Sequence, residues 1–154
     1  AVGLHALWNG SALLGPQGYL IVYVFWMVPV VGAAILLAVL SRRREQRVVA
    51  AKLPGMVAAG VVTANEASWL GSLASRKRAI AEAARFGGKT AGTSVKRFAH
   101  QVVELAFVRE RIDRGFGDQR VAALLTDETY AVYAARAASP ALHRMGGYRQ
   151  DRGR

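Results

Sequence analysis

The chain contains no cysteine. Disulfides and thiolate metal sites are therefore excluded within it, a composition that suits a reducing compartment. Its first 41 residues contain no charged side chain. The chain does not open on methionine, and no basic stretch precedes an apolar core, as a secretory signal would require. Zinc-finger spacings and the aromatic signature of an RNA-binding sheet are missing, so no nucleic-acid partner is expected. No internal repeat of fixed period is found. No Glu-Glu pair occurs anywhere, and the first acidic residue is Glu45.

All 21 Lys and Arg residues and all 10 Asp and Glu residues follow Ser41. The formal net charge of +11 thus belongs wholly to the second part of the chain. Tyr19 to Leu40 is an uncharged run of 22 residues, apolar almost throughout. As a helix it would extend about 33 Å, enough for a hydrocarbon core of about 30 Å. Arg42, Arg43, Arg44, Arg47 and Lys52 follow it directly. Basic residues clustered beside a membrane helix mark its cytoplasmic end. The expected architecture is an all-α membrane protein, multi-pass in the cell membrane, with a cytoplasmic helical tail.

Ala1 to Leu14 is mostly apolar but too short to span, and reads as the end of a helix. Gly15-Pro16-Gln17-Gly18 is a turn signal. Two helices joined there would form a transmembrane hairpin whose turn lies on the outer face. Tyr19, Tyr23, Phe25 and Trp26 resemble an interfacial aromatic belt, and Pro29 with Gly32 is expected to bend the span. Residues 1–41 therefore read as the C-terminal part of a multi-span membrane domain belonging to a longer protein. Residues 42–140 read as a basic helical region, and 141–154 as a flexible basic tail.

Within that region Arg42 to Leu53 continues away from the membrane, with Pro54-Gly55 expected to break it. Thr63 and Glu66 have capping-box spacing before a helix through Leu73. Ser75 is expected to cap a helix to Phe86, closed by Gly87-Gly88. Thr90 to Arg114 is the longest tail helix. Val95, Phe98, Val102, Leu105 and Ile112 form its amphipathic stripe, and Gly115 and Gly117 end it. Asp118 is expected to cap a last helix to about Ala138, stopped by Pro140, with a frayed end from His143. Trp69 reads as a packing residue between helices, His100 as a surface or packing residue, and Glu66 and Glu104 as a cap and a solvated or paired acid.

One constellation carries chemistry. His5 and Asn9 are four residues apart, on one face of a membrane helix, with Trp8 beside that face. Measured from Leu14, they lie roughly 14 Å and 8 Å below the outer end of that helix. An ionisable ring at such depth must face protein or a watery cavity, which points to a functional site. Helix–helix hydrogen bonding would account for the same pair without catalysis.

The run His5-Ala6-Leu7-Trp8-Asn9-Gly10-Ser11-Ala12 resembles the last membrane motif of the PrsW family. These intramembrane proteases are related to the CAAX-processing and bacteriocin-processing membrane proteases. Tyr23 and Pro29, the run Arg42-Arg43-Arg44-Glu45, and a tail with Glu66, Leu73, Arg76, Lys77, Arg78 and Gly87-Gly88 are similar to the actinobacterial branch. The resemblance covers essentially the whole chain and implies a glutamate-dependent intramembrane peptidase. In such enzymes a Glu-Glu pair on an earlier helix activates water for attack on a peptide carbonyl. His5 and Asn9 would match the family's catalytic His and Asn. Asn9 would donate its amide hydrogens to the developing oxyanion. His5 would donate to the same oxyanion or position the water. Imidazole is also a metal ligand, though the other ligands would come from outside this chain, and the expectation is no cofactor.

The family's membrane glutamates have no counterpart here. The expectation is therefore a C-terminal fragment, inactive alone, whose glutamates and other membrane helices lie upstream. Its partners would be membrane lipid, those helices and a membrane-tethered substrate, an anti-sigma factor in the namesake branch. The competing reading is a non-catalytic membrane anchor with a basic module that binds lipid or a partner protein.

Overall fold

A computed structural model describes residues 2–11 and 15–145. Every regular element among them is helical, with no strand. In order, these are α1 (Val2–Ser11), α2 (Gly15–Val22), a π-helical segment (Tyr23–Met27) and α3 (Val28–Ala58). There follow α4 (Ala64–Leu70), α5 (Leu73–Asp113), α6 (Gln119–Ala137) and α7 (Ala141–Met145). The chain divides into two compact units, Ala1–Arg44 and Glu45–Arg154. Residues 12–14 of the expected first helix lie outside the described residues.

In the first unit, Pro16-Gln17-Gly18 is part of α2 rather than a turn. Gly15 has φ of 73° and redirects the chain, so Pro16 occupies an early helical position. There its missing N–H costs nothing and its fixed φ favours the helix. Pro29 acts further on. It cannot donate to the carbonyl four residues back, and its ring crowds that group. The π-helical turn Tyr23–Met27 stands just before it and widens the backbone where the ladder is broken.

The helical run Gly15–Ala58 is long and apolar enough to cross a membrane, and none of its most apolar window is buried. Phe25 is 71% exposed, Trp26 58%, Ile35 60% and Leu37 66%, so the exposure covers every side of the helix. An apolar surface all round a helix needs a nonaqueous solvent or a protein cover.

The second unit has a core of its own. Val49, Leu53 and Met56 of α3 meet Trp69 and Leu70 of α4, and Val95, Phe98, Val102 and Leu105 of α5. Val132 and Ala135 of α6 and Leu142 and Met145 of α7 close it. The expected α5 stripe is thus the inner face, with Val95, Phe98, Val102 and Leu105 fully buried and Ile112 at its margin.

Four local expectations are corrected. Pro54 does not break α3, which continues to Ala58. Burial of Leu53 and Met56 on either side holds the helix through the missing bond. The break comes at Gly60, whose φ of 69° lets Gly60 N–H reach the Val57 carbonyl and Val61 N–H reach Met56. That double bond is a Schellman cap, and Met56 and Val61 supply its buried apolar contact. Ser72, not Ser75, caps α5: Ser72 is extended and its hydroxyl accepts from Ser75 N–H. α4 ends at Leu70, before Gly71, rather than at Leu73. Residues 141–145, expected to open a flexible tail, form α7 because Leu142 and Met145 are buried. The rest of that tail, 146–154, lies outside the described residues.

Other signals match the structure. Thr63 and Glu66 form the full capping box of α4. Asp118 caps α6 by accepting from Val121 N–H. Gly88 breaks α5 into arms 73–87 and 89–113, with φ of 74° and ψ of −178°. Gly115 ends the second arm with φ of 83°.

Candidate functional site

His5 and Asn9 both lie on α1, one turn apart, and both are exposed among the described residues. The placement of the Trp8 side chain lies outside the described residues. α1 contacts α2. What the arrangement offers chemically is an imidazole and a carboxamide side by side on an apolar helix. One carries a donor and an acceptor nitrogen, the other two donor hydrogens and an acceptor oxygen. No carboxylate accompanies them on α1 or α2, whose sequences contain no acid. Among the described residues, no group of three or more His, Asp or Glu is placed to hold a metal ion.

The ionic chemistry of the chain is in the second unit. Glu66, 7% exposed, is both the reciprocal partner of the α4 cap and the acceptor of Arg136 from α6. The guanidinium engages both carboxylate oxygens, with Nε at 3.1 Å from Oε1, and also donates to the Val61 carbonyl at 2.8 Å. Arg136 stands over the Phe98 ring at 5.4 Å, and Phe98 is tilted against Trp69 at 6.3 Å. One cation thereby joins a cap, a loop carbonyl and the aromatic centre of the core. Trp69 is accordingly a packing residue.

Lys52 forms a second centre. Its ammonium lies 2.6 Å from Asp113 and 2.8 Å from Glu110. Hydrogen bonds to Asp113 and then Glu110 raise the Lys52 pKa. Hydrogen bonds from Lys52 and then Arg114 lower that of Glu110. An open cleft of about 450 Å³ adjoins this cluster, lined by Ala51, Gly55, Arg109 and Leu125 among others. Another of about 410 Å³ lies between the second arm of α5 and α6, with Lys89, Arg97 and three hydroxyls on its wall. His100 is a surface residue, 3.6 Å from Glu104.

A third contact ties the two ends of a long sequence interval. Arg76 at the start of α5 donates to Glu45 of α3 at 2.6 Å, and Leu73 N–H donates to the Gln46 side chain at 3.3 Å. Sequence reasoning missed the Arg136, Lys52 and Arg76 centres. Their partners are 70, 61 and 31 residues away, beyond any local spacing rule. No family model, curated protein or solved structure matches this chain.

Proposed function

We propose that the chain is the C-terminal portion of a PrsW-like intramembrane endopeptidase that cleaves membrane-tethered proteins. His5 and Asn9 form part of its site, and the glutamates that activate water come from helices upstream. The observation that carries this reading is the pair itself: two polar side chains one turn apart on an apolar helix, both left exposed. Such a pair is costly in lipid unless further helices cover it with a polar surface. In the site, Asn9 steadies the oxyanion and His5 donates to it or orients the water. The Arg42 to Arg44 cluster orients α3 with its charged end in the cytoplasm. α1 and the following span form a hairpin, and the substrate is cut near its outer membrane border.

The test is the intact reading frame co-expressed with a membrane-tethered reporter. Asn9→Ala should lower cleavage about 10²-fold or more, the cost of one oxyanion donor. His5→Ala should lower it comparably. The 154-residue chain alone should not cleave. Full activity with both residues replaced would remove His5 and Asn9 from the site, and no cleavage by the intact reading frame would end the protease reading.

A second reading is favoured by one feature. Residues 45–145 bury a helical core of their own and follow in sequence an apolar run long enough to cross a membrane, which is the build of an anchored binding module. Under it, apolar residues at positions 5 and 9 would leave function intact.

A further inference from the structure

Arg109 stands outside the ion pairs of the second unit. It is half-buried on the second arm of α5, and among the described residues it forms no hydrogen bond or ion pair. Its Nε is closed to solvent and has no acceptor. A buried donor without an acceptor has lost its hydration for nothing, and a guanidinium in that position needs an anion. A water would fill the hydrogen bond; only an anion also balances the charge.

The cleft of about 450 Å³ gives such an anion a place, for Arg109 is on its wall. α3 supplies Lys52 and Gly55 to that wall, α5 supplies Arg109, Ile112 and Asp113 from one helical face, and α6 supplies Leu125. Gly55 leaves room beside the guanidinium: a Cβ there would stand 3.9 Å from Arg109 Nη1. The other ionic groups at the wall cancel. Lys52 is bonded to Glu110 and Asp113, and Glu110 also holds Arg114. Both cations are thus matched by the two carboxylates, and the charge left over is the single one of Arg109. Ile112 and Leu125 are apolar and half-buried, and the volume falls within the range of small-molecule pockets, about 300 to 1,000 Å³.

We propose that this cleft binds a small monocarboxylate with an apolar body, its carboxylate on the Arg109 guanidinium and its body against Ile112 and Leu125. The guanidinium fork matches a carboxylate through two parallel hydrogen bonds. A phosphate dianion fits less well, because one spare cation leaves its second charge facing Asp113 on the same wall. A neutral ligand leaves the guanidinium uncompensated. Every residue of this site belongs to the second unit, so it owes nothing to His5 or Asn9.

The test uses the full chain in zwitterionic lipid nanodiscs, with fluorine NMR of para-fluorobenzoate as the probe and empty discs as the baseline. Saturable broadening above that baseline is expected. The neutral para-fluorobenzamide and the dianionic para-fluorophenyl phosphate should each bind about tenfold more weakly or worse, the loss that goes with one charge-assisted contact. Arg109→Gln should weaken the carboxylate by a similar factor. Arg109→Lys, which keeps the charge and loses the fork, should fall between the two. Gly55→Leu should block the cleft, and Arg97→Gln, on the wall of the other cleft, should change nothing. The denaturation midpoint of Arg109→Gln should not drop, since the native side chain has no hydrogen bond to lose. Equal binding of benzoate and benzamide, undiminished binding by Arg109→Gln, tighter binding of the phosphate, or no saturation by about 10 mM would each overturn the site.

Discussion

Glu66 holds a carboxylate in a position that water hardly reaches, so the energy of that charge depends on its partners. Thr63 N–H and the Arg136 guanidinium supply them. A buried charge that loses its partner costs about 3 to 5 kcal/mol. Arg136 is itself partly exposed, with 21% of its side chain accessible, which lowers the expected loss. Arg136→Met should destabilise the fold by about 3 kcal/mol, read from chemical denaturation in detergent. Combined with Glu66→Gln, the loss should be smaller than the sum of the two single effects, because the neutral amide no longer needs the cation.

The Lys52 cluster makes a pH prediction with two signs. The Glu110 pKa is lowered in the fold, so its contribution is present above the ordinary carboxylate range and lost as pH falls through the lowered value. The Lys52 pKa is raised, so its contribution is complete below the ordinary lysine value of 10.5 and fades as pH rises through the raised one. Glu110→Gln should therefore flatten the acid side of a stability–pH curve, and thermal melts from neutral to acid pH would show it. A variant with an unchanged acid limb would assign the acid sensitivity to other carboxylates.

At the scale of elements, the turn inside α5 depends on glycine. Gly88 combines φ of 74° with ψ of −178°, a region that side chains with a Cβ avoid. A Cβ on Gly87 would come within 2.6 Å of the Ala91 Cβ, and one on Gly92 within 2.9 Å of the Ala84 Cβ. The two arms therefore approach as closely as their backbones permit. Gly88→Ala should cost about 1 to 3 kcal/mol, measured as a lower denaturation midpoint with helix content retained. A straightened α5 would pull its second arm out of the core. Pro54 shows the opposite case. Its ring sits inside α3 and is tolerated, since Leu53 and Met56 anchor the helix on both sides. Local propensity loses there to tertiary burial.

At the scale of the whole molecule, two units solve the solvent problem differently. Residues of the second unit turn their apolar stripe toward one another and leave charge outside. The apolar run of the first unit cannot, because residues 19–40 carry no charge to turn outward. Leu36→Arg should therefore oppose membrane insertion by about 3 kcal/mol, the cost of arginine near a helix centre. Insertion assays with glycosylation reporters would register it. Unchanged insertion would argue that another protein surface, not lipid, covers this helix.

The legible features were those set by neighbours in sequence. The helix long and apolar enough to cross a membrane follows from a run without charge, the α4 cap from Thr63 and Glu66 three apart, and the α6 cap from Asp118. The inner face of α5 follows from its 3- and 4-residue steps, and its break from Gly87-Gly88. His5 and Asn9 were placed on one helical face by the same logic. Ser72 was missed because Ser75 has the same chemistry and only backbone geometry decides which one is extended. α7 was missed because its two buried residues have partners elsewhere in the chain.

Sequence alone determined where α4 and α6 begin, where α5 bends and which part of the chain carries no charge, since capping, periodicity and charge act within a few residues. Tertiary structure alone decided that Pro54 stays helical and that Arg136 meets Glu66. It alone decided that Arg76 meets Glu45. Those outcomes depend on burial and on charges dozens of residues apart, which only the folded chain brings within hydrogen-bond reach.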